Sequence, residues 1–129
     1  MNTQNQKKIL VVEDNTSLNA ILVKKLKEEN FIVYTAFDGE AGLEIAYDKK
    51  PDMILLDLYM PILDGYDFLE SLRNDPWGKD VRVIILTNGS MQEQENAKVV
   101  LEKNPLSFLV KSSTKLEHLV RYIYQAFKE

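Results

Sequence analysis

Three carboxylates, one hydroxyl and one ammonium stand at the ends of short aliphatic runs. Glu13 and Asp14 close ILVVED, Asp57 closes MILLD, Thr87 closes VIILT, and Lys111 follows FLV. Taken singly, each reads as a polar strand terminus, and an aspartate in that position ordinarily just opens a turn. Taken together they need another account, because clustered carboxylates raise one another's pKa unless a cation or a lysine compensates. A cluster of hard oxygens with open positions suits Mg2+, which takes one or a few carboxylates and fills its other positions with waters and a phosphate.

The elements around these residues decide whether they can meet. KKILVVED is a continuous apolar run bounded by charge, the pattern of a strand buried on both faces. From Asn15, NTSLNAILVKKLKEEN places Leu18, Leu22 and Leu26 four residues apart behind polar capping candidates, which predicts a helix. FIVYTA reads as a second strand, DGEAGLEIAYDKK as a helix weakened by Gly42 and stopped by Pro51, and PDMILLD as a third strand. YDFLESLRND reads as a short helix closed by the turn DPWGKD, and VRVIILT as the fourth strand. MQEQENAKVVLEKN is a helix with a thin apolar face of Ala97, Val100 and Leu101, so it should be the least firmly docked. SFLV is a brief fifth strand, and TKLEHLVRYIYQAFKE aligns Leu116, Leu119, Val120, Ile123 and Phe127 on one face of a last helix.

Five buried strands alternating with five helices through short loops imply an α/β fold, a parallel sheet covered on both faces by right-handed crossovers. Ligands of such sheets bind outside the carboxyl ends of the strands, where the winding direction reverses. The five polar residues all stand at that end. A chain of 129 residues with 45% hydrophobic content fits one compact domain over 1–129, with residues 1–7 as a flexible N-terminal segment. Cysteine is absent, and the polar start MNTQNQKK is not followed by an apolar segment of signal-peptide or membrane-spanning length, so a cytoplasmic location is expected. With a net charge of −4 and basic residues scattered among acidic ones, neither nucleic acid nor membrane is an expected partner.

The chain resembles the receiver domain of two-component response regulators over essentially its whole length. The resemblance rests on VVEDN, LLDLYMPILDG, ILT and FLVK, in that order and at those spacings. It implies a flavodoxin-like, doubly wound sheet of strand order 2-1-3-4-5. It also implies that Asp57 is the phosphoacceptor, receiving a phosphoryl group from a histidine kinase or histidine phosphotransfer protein and forming an acyl phosphate. As a carboxylate already ionised near neutral pH, Asp57 needs no general base. By the same resemblance Mg2+ is held by Glu13, Asp14, Asp57 and the backbone carbonyl of Tyr59. Lys111 then pairs with a phosphoryl oxygen, Thr87 hydrogen-bonds another, and Phe108 repacks as Thr87 moves. The output surface is made by the fourth helix, the fifth strand and the last helix, and binds a downstream protein. Pro61 and the Asp64–Gly65 turn are structural in this reading.

Three departures from the family pattern stand near the site. Asn88 follows the switch threonine where a very small residue is usual, Ser112 follows the lysine where proline is usual, and Asn104–Pro105 replaces a pair of small residues. Without the proline, a cis peptide after Lys111 would cost about 2.5 to 4 kcal/mol. Two other functions compete with the phosphorylated switch. A phosphate-independent pseudo-receiver usually lacks an acid, the acceptor or the lysine, and all are retained here. A Mg2+-dependent aspartyl-phosphate phosphohydrolase commonly has a second Asp two residues after the nucleophile, where this chain has Tyr59, so an enzyme is not expected. The natural-looking N-terminus modestly favours a stand-alone regulator over a receiver excised from a longer protein. Phe31, Tyr34, Phe37 and Tyr47 read as core and edge packing, and His118 as an ordinary polar position beside the apolar face of the last helix.

Overall fold

The computed structural model describes residues 6–87, 107–111 and 114–128, with Thr87, Ser107, Phe108 and Val110 described in backbone only. The elements run β1 (Lys8–Val12), α1 (Thr16–Glu28), β2 (Ile32–Ala36), α2 (Gly39–Lys49), β3 (Met53–Leu56), α3 (Gly65–Asn74), β4 (Arg82–Thr87), β5 (Ser107–Val110) and α4 (Leu116–Lys128). The strands form one parallel sheet in the order β2-β1-β3-β4-β5, the flavodoxin-like, doubly wound arrangement. The helix expected over 91–104 lies outside the described residues, as do Asn88, Asn104, Pro105 and Ser112.

Alternation along the strands builds two cores, one on each face of the sheet. Leu10, Val12, Ile54, Leu56, Val83 and Ile85 point toward Phe68, Leu69 and Leu72 of α3 and Ala46 of α2. Ile9, Val11, Met53, Leu55, Ile84 and Leu86 point toward Leu22 and Leu26 of α1 and Leu119 and Ile123 of α4. A sheet covered on both faces explains why its strands read as unbroken aliphatic runs and not as alternating ones.

Helix starts follow side-chain caps. The side chains of Asn15, Asp38 and Asp64 accept hydrogen bonds from the backbone N–H of Leu18, Ala41 and Asp67, each satisfying a donor that the first turn leaves unpaired. Asp64 is therefore a cap, and α3 begins at Gly65. Gly42, expected only to weaken α2, has a packing reason: a Cβ there would lie 3.0 Å from both Phe68 and Val12.

The aromatic residues divide. Phe31 is buried, with its ring centroid 5.3 Å from that of Tyr124 and 5.9 Å from that of Phe127. Tyr34 and Tyr47 pack against the core, whereas Phe37 departs from the expectation and is 46% exposed. His118 is exposed, and Ala126 joins the buried face of α4 while Phe127 is only half-buried. At the N-terminal edge, Gln6 Nε2 donates to the Asn30 carbonyl and the Lys7 carbonyl accepts from Ile32 N. Among the described residues, no helix is long and apolar enough to cross a membrane.

Candidate functional site: an acidic cleft at the strand ends

The order β2-β1-β3 reverses the winding direction between β1 and β3, and the acids stand at the carboxyl ends of these two strands. Asp57 directly follows β3, and its N–H donates to the Val12 carbonyl at 3.1 Å. Strand-like alternation continues beyond it: Leu56, Leu58 and Met60 are buried in the same core, leaving Asp57 and Tyr59 to line the opposite side. The aliphatic run around Asp57 is thus what aims its carboxylate into the cleft. Gly65 keeps the following loop tight, because a Cβ at this position would lie 2.5 Å from Leu58 Cα and 2.7 Å from the Asp57 carbonyl oxygen.

Carboxylate oxygens of Glu13, Asp14 and Asp57 lie within 4.8 Å of one another. Glu13 is 2% and Asp57 5% exposed, while Asp14 is open to solvent. Lys111, just after β5, reaches across the sheet end with Nζ 2.6 Å from Glu13 Oε1 and 3.1 Å from Asp57 Oδ2. Two further backbone donors fix the acids, Asn15 N to Glu13 Oε2 at 3.1 Å and Tyr59 N to Asp57 Oδ1 at 3.3 Å. These groups, with Leu18, line an open cleft of about 480 Å³.

Burial pushes the Glu13 carboxyl up, and the hydrogen bonds from Lys111 and Asn15 only partly oppose it; the charge of Asp57 raises it further. For Lys111, burial acts to lower the pKa, but the Glu13 hydrogen bond and the charges of Asp57 and Glu13 outweigh it, so the net shift is upward. The lysine is held as a cation between two carboxylates. This all-oxygen donor set, with one exposed carboxylate and an open cleft, fits a hard divalent cation such as Mg2+.

Glu13, Asp14, Asp57, Tyr59 and Lys111 are thus brought together. Thr87 ends β4, opposite Val110 in the register, and Phe108 pairs with Ile85; both side chains lie outside the described residues. Two features near the site had not been singled out in the sequence. Tyr66 packs edge-on against Tyr59, with centroids 6.4 Å apart, and burial, together with the Tyr59 hydrogen bond, pushes its phenol up to about 12. Asn19 is buried behind the acidic pair; its signal was a polar residue on the Leu22–Leu26 stripe of α1.

Residues 9–124 match the model of the response regulator receiver domain, and the chain belongs to that family. Among curated relatives, it is 34% identical over 120 residues to a probable transcriptional regulator ycf27 of Porphyridium aerugineum, covering 92% of this chain and 48% of that protein. It is 34% identical over 119 residues to hybrid signal transduction histidine kinase D of Dictyostelium discoideum, covering 92% of this chain and 7% of that protein. The chain therefore spans less than half the length of these relatives. Among solved structures, it resembles the receiver domain of the sensor histidine kinase PA1611 of Pseudomonas aeruginosa, crystallised with a magnesium ion coordinated in its active site cleft. That match has 28% identity and a TM-score of 0.82, covering 93% of this chain and 96% of the other. The chemotaxis response regulator CheY4 of Vibrio cholerae matches with 25% identity and a TM-score of 0.84, covering 94% and 98% of the two chains.

Proposed function

We propose that residues 1–129 form a single receiver domain working as a phosphorylation-dependent switch in the cytoplasm, with Asp57 as phosphoacceptor. The observation that carries this reading is the Lys111 ammonium bridging two buried carboxylates, Glu13 and Asp57, at the mouth of an open cleft. An Asp57 carboxylate oxygen attacks the phosphorus of a phosphohistidine on a kinase or phosphotransfer protein, the P–N bond breaks, and an acyl phosphate forms. Glu13, Asp14, Asp57 and the Tyr59 carbonyl would hold Mg2+, which supplies positive charge to neutralise the transferring group.

Lys111 has a second role once phosphate arrives. Its ammonium is already within reach of Asp57 and pairs with a phosphoryl oxygen as a compact point charge. Thr87, at the end of β4, supplies a hydroxyl to another oxygen, and Phe108 repacks behind it. The change then reaches β5, α4 and the 91–104 segment, which together bind the downstream protein. The site makes a signalling domain and not an enzyme acting on external substrates, since the position two residues after Asp57 is Tyr59, which cannot serve as a carboxylic acid proton donor. Retention of both acids, the acceptor and the lysine argues against a pseudo-receiver. The test is incubation with acetyl phosphate in Mg2+ or in excess chelator: label appears only with Mg2+, and undiminished labelling in chelator rejects the metal assignment.

A further inference from the structure

Among the described residues, three polar side chains are buried: Glu13, Asp57 and Asn19. The first two form the cleft. Asn19 stands on α1 in line with Leu22 and Leu26, on the face packed against the sheet. An aliphatic residue there would simply extend the stripe, whereas a buried amide costs free energy unless its hydrogen bonds are made. They are made, and all of them go to the end of the sheet that carries the acids.

Asn19 Nδ2 donates to the Glu13 carbonyl at 3.0 Å and to the Ala36 carbonyl at 3.3 Å, and its Oδ1 accepts from the Thr35 hydroxyl. The Ala36 carbonyl also accepts from Glu13 N at 3.0 Å. Glu13 is therefore held on both sides, through its N–H by Ala36 and through its carbonyl by Asn19. The amide has one satisfied orientation, since a flip would set Oδ1 against two carbonyl oxygens. The register of β1 with β2 ends at Val12 and Ala36, so the peptide joining Glu13 to Asp14 lies past the last paired residues. Among the described residues, Asp14 has no side-chain hydrogen bond of its own, and its direction depends on that peptide.

Resting on the reading of the cleft given above, we infer that Asn19 is a positioning residue. Its side chain fixes the Glu13–Asp14 peptide and so sets the separation and direction of the two carboxylates that would hold the divalent cation. It touches neither the cation nor the phosphoryl group. Replacement of such outer partners typically weakens metal binding about 10- to 100-fold, and the partly open cleft here places the effect near the lower figure, about 10-fold.

The test is Mg2+ titration of the full chain followed by amide NMR, with thermal unfolding in parallel. Wild type is compared with Asn19→Leu, Asn19→Ala, Thr35→Val and Leu22→Ala. Both Asn19 variants are expected to bind Mg2+ about 10-fold more weakly although one fills the core and the other empties it. Should Asn19→Leu fail to fold, Asn19→Ala carries the comparison. Thr35→Val keeps both carbonyl contacts and should lose much less affinity than the Asn19 variants. Leu22→Ala lowers stability without changing the affinity of the folded protein. A folded Asn19 variant with wild-type affinity, or an equal loss in Leu22→Ala, overturns the inference alone. Wild type that shows no Mg2+-dependent shifts at Glu13, Asp14 or Asp57 overturns the reading of the cleft, and the inference with it.

Discussion

Replacing Lys111 with methionine keeps most of the side chain's apolar stem and removes its charge together with the N–H donors it directs at Glu13 and Asp57. At an effective dielectric constant of about 20, unit charges at the two observed separations attract by roughly 6 and 5 kcal/mol. Most of this attraction offsets the cost of taking three charged groups out of water. What remains after deletion is the buried pair Glu13 and Asp57, with exposed Asp14 beside them, and the oxygens of that pair within 4.8 Å repel by at least about 3 kcal/mol on the same scale. Removing one partner of a closed, buried ion pair costs about 3–5 kcal/mol; the open cleft lets water reach the orphaned acids, so we expect about 2 kcal/mol here. That corresponds to a fall in melting temperature of roughly 8 °C for a domain of this size.

The sign of the pH effect follows from the shifts. Lys111 is raised in the folded state, so its contribution is fully present below the ordinary lysine pKa and is lost only as pH rises through the folded value. In Lys111→Met, Glu13 keeps its burial and its repulsion from Asp57 but loses the ammonium, so its already raised folded pKa moves further up. The folded variant then binds more protons than the unfolded chain, and its deficit shrinks as pH falls from neutral toward the ordinary glutamate range. Mg2+ should narrow the same gap, and the variant should bind it more tightly because a competing cation is gone. Urea denaturation at two pH values, with and without Mg2+, measures all of this. A deficit independent of pH and of Mg2+ would refute the electrostatic account and leave Lys111 as a packing residue.

Other outcomes follow from the loop and the relay. Gly65→Ala should cost about 1–3 kcal/mol in denaturant unfolding, because its Cβ meets the backbone of Asp57 and Leu58, not flexible side-chain ends. Ile62 has φ 71° and is 74% exposed, so a β-branched residue occupies a left-handed conformation without compensating burial. Ile62→Asn should raise stability by about 0.5–1 kcal/mol, and a loss would show that Ile62 is held by contacts not evident from its exposure. Beryllofluoride, a phosphoryl mimic, should shift amide NMR signals from Asp57 out to Phe108 and α4 in wild type. In Thr87→Ala those distant shifts should collapse, and their persistence would exclude the Thr87 route.

The fold was legible because two-sided burial writes β1, β3 and β4 as aliphatic runs, and a capping residue such as Asn15 stands before the first helix. The acidic residues were legible because polar groups end those runs at one edge of a parallel sheet. Strand order was carried by the family resemblance, since nothing in single runs such as ILVV or MILL says which neighbours pair. Two kinds of feature escaped. Asn19 looked like one more polar residue of an amphipathic helix, and only the positions of the Glu13 and Ala36 carbonyls reveal what its amide satisfies. Gly42 and Gly65 looked like a weak helix former and a turn residue, while a Cβ at Gly42 would crowd the side chains of Phe68 and Val12 and one at Gly65 the backbone of Asp57 and Leu58.

Whether Asp57 accepts a phosphoryl group is decided by intact-mass measurement. Wild type and Asp57→Asn are each incubated with Mg2+ and acetyl phosphate and weighed without acid treatment, since an acyl phosphate is labile. The amide is nearly isosteric with the carboxylate but cannot act as the nucleophile, so the variant should fold as wild type does. A mass increase of one phosphoryl group is expected in wild type and none in Asp57→Asn. No increase in wild type, or the same increase in both proteins, would contradict Asp57 as the acceptor.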